Sequence, residues 1–177
     1  MNPNEVQANH IKEALKARPY LQMLIDELLS LGDGVPVIWH KEMVTNEHFV
    51  NLLITTGRVS NGKGARLRLM EPCNCHNNAE KLAIKYPHRY QREIGFALSD
   101  RTWGPHSWLF DRSNNQIVET TVMRKLYFGV TMAITEREKR DYMTRERTTN
   151  AVNQSGEPAK SAQELDASAV VSSGDIQ

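Results

Sequence analysis

A cysteine, a histidine and a glutamate within residues 75–119 are the side chains of this sequence best suited to nucleophilic chemistry. Cys75 stands just before a short helical pattern at 77–86, and the N-terminus of a helix stabilises a thiolate. His106 begins an apolar, strand-like segment and could serve as the general base for the thiol. Glu119 lies within the next strand-like segment, where a carboxylate is costly to bury without a partner. This order predicts a thiolate and an imidazole that are paired, with Glu119 orienting the imidazole.

A reaction at a carbonyl group also needs hydrogen-bond donors for the oxyanion that forms on it. Asn74 directly precedes Cys75, so its side chain and the backbone N–H of Cys75 are the nearest donors in sequence. Trp108 shares a strand face with His106, because alternate residues of a strand point to the same side. We therefore expect Asn74 or the backbone N–H of Cys75 to be the oxyanion donor, and Trp108 to support the site.

The order of these residues and elements resembles that of the papain-like cysteine hydrolases. In that order a cysteine opens a helix, a histidine begins a strand, and an acid lies on the following strand. This resemblance spans 71–130 and implies that Cys75 is the nucleophile, His106 the general base and Glu119 its orienting partner. The implied reaction is hydrolysis or acyl transfer at an amide or peptide bond. The glutamine that usually completes the oxyanion hole has no counterpart here, because no Gln occurs between Gln22 and Gln91.

The compact strings Cys-His-x-Asn and His-Ser-Trp also resemble those of small phage or bacterial proteins. For a phage-encoded protein, this resemblance implies the cytoplasm of the host cell.

Each candidate residue also has a purely structural interpretation. Cys75 could be an inert buried thiol, since cysteine is among the most buried residue types. His106 could be a structural histidine. Glu119 could pair with Arg124 or another cation on the surface of the sheet. The sequence leaves these alternatives open.

Two other classes of protein also remain open. A structural zinc protein would draw its ligands from one cluster and a distant histidine, although such sites normally present two clusters of paired ligands. The available ligands are Cys73, Cys75, His76 and either His88 or His106. A non-catalytic interaction protein, such as an inhibitor or adaptor, would present its charge-dense helix at 136–147 and its tail to a partner.

The hydrophobic periodicity predicts an α+β fold, in which an antiparallel sheet packs against a central helix at 77–86 and an N-terminal helical segment at 5–31. This outline is papain-like. We expect one domain over 1–148 and a disordered acidic tail over 149–177, where polar residues dominate and aromatic residues are absent. The predicted strands lie at 65–70, 93–99, 106–112, 116–122 and 126–130.

Composition narrows the choice of partners. The 22 basic and 21 acidic residues give a net charge of +1, which is no signature of a nucleic-acid-binding protein. The sequence contains neither an apolar run long enough for a membrane span nor an N-terminal signal peptide, so we expect a cytoplasmic protein. Its two cysteines are then expected to be thiols. The substrate would be an unknown peptide or protein, and we expect no cofactor and no metal.

Overall fold

The computed structural model describes residues 12–13, 15–38 and 46–155, with side chains as far as residue 148. Four helices have defined bounds: α1 (Leu21–Leu31), α2 (Glu47–Thr56), α3 (Cys75–Lys85) and α4 (Glu136–Ser155). The described residues up to Lys139 form one compact unit, and those from Arg140 form a second.

Local sequence explains several of the helix boundaries. Residues 12–13 and 15–17 are helical, and the helix stops at 18 before Pro19, where the sequence predicts a break. The start predicted for this segment, near residue 5, lies outside the described residues. α2 begins after Asn46, whose Oδ1 accepts a hydrogen bond from the N–H of Phe49 at 2.7 Å. The predicted central helix starts two positions earlier than expected, so Cys75 is itself the first residue of α3.

The sheet has six strands: β1 (Arg58–Asn61), β2 (Arg66–Leu67), β3 (Tyr90–Leu98), β4 (Trp103–Asp111), β5 (Gln116–Glu119) and β6 (Leu126–Thr131). Their order is β1-β6-β3-β4-β5-β2. Four of the five pairings are antiparallel, whereas β2 runs parallel to β5. The fold is therefore α+β, as predicted, although residues 58–61 form a strand that is not among the five predicted ones. The predicted strand at 65–70 shortens to two residues.

The connection between β1 and β2 shows that the sheet is curled. These strands stand at opposite edges of the sheet, and residues 62–65 join them. A connection of this length reaches at most about 18 Å. The edges of a flat six-stranded sheet would lie about 24 Å apart. The sheet must therefore bend until its two edges approach each other.

The two faces of this curled sheet have different neighbours. The outer face packs against α1 and α2 through one apolar cluster that includes Phe96, Trp103 and Phe128, and against α3 through a second that includes Leu109 and Val118. The inner face carries a third cluster, together with buried polar side chains. The cluster consists of Ala97, Trp108, Ile117 and Tyr127, and the polar side chains include His106 and Glu119.

α4 extends beyond the boundary expected from composition. The sequence predicts that the charged helix ends near Arg147 and that the disordered tail starts at 149. The helix instead continues to Ser155. Residues 156–177 lie outside the described part of the chain.

Candidate active site

A tight turn at 71–74 delivers Cys75 to the start of α3. Cys73 adopts a left-handed backbone conformation, with φ 58°, which reverses the chain just before the helix. The buried Asn78 holds this turn, because its side-chain amide donates to the carbonyl oxygen of Glu71 at 2.7 Å. Its backbone N–H donates to the carbonyl of Asn74 at 2.9 Å. Cys75 therefore has a fixed backbone.

The thiol of the partly buried Cys75 lies next to the side chain of His106 and the backbone N–H of Ser107, and both of these groups lower its pKa. Burial raises the pKa of this thiol. The hydrogen bond and positive charge of His106, together with the Ser107 amide, outweigh burial and hold the pKa below its ordinary value. The site thus favours the thiolate, which is the nucleophilic form of cysteine.

The other end of the His106 ring contacts Glu119. His106 Nε2 lies 2.7 Å from Glu119 Oε2, and these side chains are 3% and 0% exposed. Burial lowers the pKa of His106, but the hydrogen bonds to Cys75 and Glu119 outweigh it and the pKa is raised. Burial raises the pKa of Glu119, and the hydrogen bond and charge of His106 reverse that shift, so this pKa is lowered. Each of these shifts is towards the charged form of its group, which is the thiolate, the imidazolium or the carboxylate.

Glu119 is held by five donors. Its Oε1 accepts from the backbone N–H groups of Thr120 and Thr121 and from the Thr121 hydroxyl, at 2.8, 2.9 and 3.0 Å. Its Oε2 accepts from Tyr127 Oη at 3.1 Å as well as from His106. A carboxylate with this many donors cannot rotate without breaking several bonds. It therefore fixes the orientation of the ring and leaves Nδ1 as the ring nitrogen that is not bonded to Glu119.

Trp108 supports His106 from within the curl. Its ring stacks on that of His106, with a centroid separation of 6.2 Å and an interplanar angle of 20°. Its indole Nε1 donates to Glu93 Oε2 at 3.0 Å. A Cβ atom at Gly129 would overlap the Trp108 ring, so the glycine leaves the space that the indole occupies. Trp108 is 1% exposed, which makes it a buried support for His106 and removes it from any substrate cleft.

Asn74 is close to the thiol but its side chain is already engaged. Its Nδ2 donates to Glu71 Oε2, and its Oδ1 accepts from Asn77 Nδ2, both at 2.7 Å. The first helical hydrogen bond of α3 comes from Asn78, so the backbone N–H groups of residues 75–77 precede the ladder. These N–H groups are better oxyanion donors than the Asn74 amide.

The structure bears on two of the alternative interpretations, which are the surface pair of Glu119 with Arg124 and the zinc site. Glu119 is wholly buried against His106, which is inconsistent with a surface pair with Arg124. Cys73 is exposed and Cys75 half-buried, both as free thiols. Among the residues that the structure describes, no three His, Cys, Asp or Glu side chains are arranged to hold a metal ion. The zinc interpretation therefore has no ligand set in this part of the chain.

Sequence reasoning missed several residues that build this site. Asn78 fixes the turn, Ser107 contacts the thiol through its amide, and Thr121 and Tyr127 hold Glu119. The one available signal was the pair of threonines directly after Glu119, since a carboxylate readily accepts from the two backbone N–H groups that follow it.

Comparison with known proteins gives no matching family model and no significant match among curated proteins or solved structures. None of the described helices combines the length and the apolar character that a membrane crossing requires.

Proposed function

We propose that this protein is a thiol-dependent hydrolase or acyltransferase that acts on an amide or peptide bond through Cys75, His106 and Glu119. One observation carries the proposal. The thiol of Cys75 interacts with the side chain of His106, whose Nε2 lies 2.7 Å from Oε2 of Glu119. A nucleophile, a base and an orienting group in this arrangement are the requirements for covalent catalysis by cysteine.

The first half of the reaction forms a thioester. The Cys75 thiolate attacks the carbonyl carbon, and the electron pair of the C=O bond moves to oxygen. Backbone N–H groups at the start of α3 stabilise this oxyanion, with the helix dipole adding to their effect. The C–N bond then breaks as the His106 imidazolium donates its proton to the leaving amine.

The second half regenerates the thiolate. A water molecule, or an acceptor amine or hydroxyl, gives a proton to neutral His106 and attacks the thioester carbon. The C–S bond breaks and the acid or the transferred acyl product leaves. Glu119 remains ionised in both halves, because its donors favour the carboxylate, and it stabilises the imidazolium each time that it forms.

The papain-like resemblance supports this proposal. Cys75 lies at the start of a helix that packs on the curled sheet. The histidine and the acid lie on two neighbouring strands, and all three residues follow the order that the resemblance implies. The sequence has no counterpart of the usual oxyanion-hole glutamine, and in this proposal the backbone N–H groups of α3 supply the oxyanion donors instead. Cys75 is also only partly buried, so the residue that carries the thiol is still exposed in part to solvent.

The test is to trap the acyl-enzyme with p-nitrophenyl acetate. We expect rapid release of p-nitrophenolate and one acetyl group on Cys75, located by peptide mass spectrometry. Cys75→Ser should abolish the rapid phase, and His106→Ala should slow it. Cys73→Ser is the matched control, because it removes an exposed thiol two residues away and should leave the rapid phase intact. Acetylation of Cys75 no faster than that of Cys73 would reject the proposal in favour of a non-catalytic interaction protein.

A further inference from the structure

Two adjacent pairs of residues connect α3 to β4. Cys75 contacts His106, and the next residue on each element makes a second contact, because His76 Nδ1 lies 2.6 Å from Ser107 Oγ. Successive residues of a strand point to opposite faces, so His106 lies on the inner face of the sheet and Ser107 on the outer face. The start of the helix therefore contacts both sides of the same strand.

We propose that His76 and Ser107 are a positioning pair that fixes the N-terminus of α3 on β4 and thereby sets the contact between the Cys75 thiol and His106. The proposal rests on the function proposed for Cys75 and His106, and it names two residues that would act through them. It also gives a shared role to the Cys-His and His-Ser dipeptides of the sequence.

The edge of β4 explains why a separate contact is needed here. This edge pairs with Val37 at Trp103 and with β5 at residues 109–111. His106 and Ser107 lie between these two pairings, at the point where the start of α3 attaches. The hydrogen bond between His76 and Ser107 therefore fixes the start of the helix at a stretch of β4 that lies between the pairings with Val37 and with β5.

Ser107 is suited to this role because it contacts both helix residues. Its backbone N–H lies next to the Cys75 sulfur and lowers the pKa of that thiol, and its hydroxyl bonds to the ring of His76. The residue is 0% exposed, which excludes its hydroxyl from reaction with a substrate. Loss of the His76 ring would leave this hydroxyl buried without its partner and would free the helix start to move.

The charge state of His76 suits a structural hydrogen bond. Burial, the positive charge of His106 and that of Arg92 lower the pKa of His76. A neutral ring therefore stands beside the imidazolium of His106, which avoids repulsion between two adjacent cations.

The experiment measures the pKa of the Cys75 thiol from the rate of iodoacetamide alkylation against pH, in a Cys73→Ser background. His76→Leu and Ser107→Ala should each raise the thiol pKa by about one unit, which lowers alkylation below that pKa about tenfold. The double variant should shift the thiol pKa no further than either single change. His76→Asn should recover most of the effect, because its amide places a polar atom close to the position of Nδ1. His88→Leu, at an exposed histidine, is the control and should leave the thiol pKa unchanged.

An unchanged thiol pKa in folded His76→Leu would overturn the positioning role, even if Ser107→Ala failed to fold. The acetylation assay separates this result from failure of the proposed function. A wild type that forms no acetyl-enzyme, but whose thiol pKa rises in His76→Leu, would reject the acyl-transfer function and keep the positioning pair. If the wild type forms the acetyl-enzyme but the thiol pKa is the same in all variants, the positioning pair is rejected and the acyl-transfer function is kept.

Discussion

The Nε2 atom of His106 lies 2.7 Å from Oε2 of Glu119, and both side chains are buried inside the curled sheet. This contact determines which ring nitrogen is available to the thiol. Since Glu119 accepts the Nε2–H, Nδ1 is left to exchange a proton with Cys75. The ring nitrogen that is left for the thiol is thus set by a side chain that is wholly buried.

Glu119→Gln should reverse the tautomer of His106. Oε1 accepts from two backbone N–H groups and a hydroxyl, so the amide oxygen must take that place and the NH2 group must face His106. A donor opposite Nε2 forces the proton onto Nδ1, which then cannot act as a base. We expect acetylation of Cys75 to slow by roughly 10²- to 10⁴-fold. Nitrogen NMR of the His106 ring would report the tautomer directly.

Glu93→Gln is the matched control for this change. Burial raises the pKa of Glu93, and the hydrogen bond from Trp108 does not reverse that shift. An amide oxygen can accept the same indole N–H, so little change in acetylation is expected. Equal losses in Glu93→Gln and Glu119→Gln would mean that a general disturbance of the interior, rather than the tautomer, controls the rate.

The alkylation of Cys75 should depend on pH differently from that of Cys73. The pKa of Cys75 is lowered and that of His106 is raised, so both shifts favour the thiolate–imidazolium pair over the neutral pair. Below the thiol pKa the sulfur is protonated and reactivity falls. Peptide mass spectrometry after short iodoacetamide pulses should show Cys75 labelled at pH values where Cys73 is still inert. Coincident profiles for the two cysteines would contradict this prediction.

Gly129→Ala should disturb the support beneath His106. The new Cβ would overlap the Trp108 ring and approach the carbonyl oxygen of Ile94 to 2.8 Å. Overpacking of this kind costs about 1–3 kcal/mol of unfolding free energy. Urea denaturation would measure this cost, and acetylation kinetics would show the effect of a displaced indole. Gly104→Ala is the control, since a Cβ there meets no atom within 4 Å. Equal stability losses at both glycines would argue against a specific role for the Trp108 contact.

Asp111 should contribute stability that disappears in acid. Hydrogen bonds from Arg89, Ser113 and Asn114 to its buried carboxylate lower its pKa. Its contribution is therefore complete above the unfolded pKa of about 3.9 and is lost as pH falls through the lower folded value.

Asp111→Asn should thus cost about 1–3 kcal/mol of unfolding free energy at pH 7, near the lower end because Arg89 is 43% exposed, and less at pH 3. Urea denaturation at both pH values provides the measurement. Asp100→Asn should cost less than about 0.5 kcal/mol, since this carboxyl is 87% exposed beside Lys125. A cost for Asp111→Asn that is independent of pH would show that the charge is not responsible.

The sequence could predict the helix and strands that carry Cys75, His106 and Glu119, because local patterns define these elements. A helix start at Cys75 and alternation along the strand of His106 and Trp108 require no knowledge of distant contacts. The contact between His76 and Ser107 could not be foreseen, since a residue adjacent to Cys75 is expected to point elsewhere. The positions of β1 and β2 at opposite edges of the sheet could not be predicted either, because they depend on pairing between residues far apart in the chain. The catalytic roles remain predictions.

The short link between the two edge strands also has a kinetic consequence. β1 pairs with β6 and β2 pairs with β5, so closing the curl requires contacts between residues more than fifty positions apart. The β4–β5 hairpin, which brings His106 to Glu119, is local and can form early. Cys75 contacts His106 only after α3 has docked on that hairpin. The lowered pKa of Cys75 should therefore emerge late in refolding, and pulsed alkylation would time that step, with the exposed Cys73 as an internal reference.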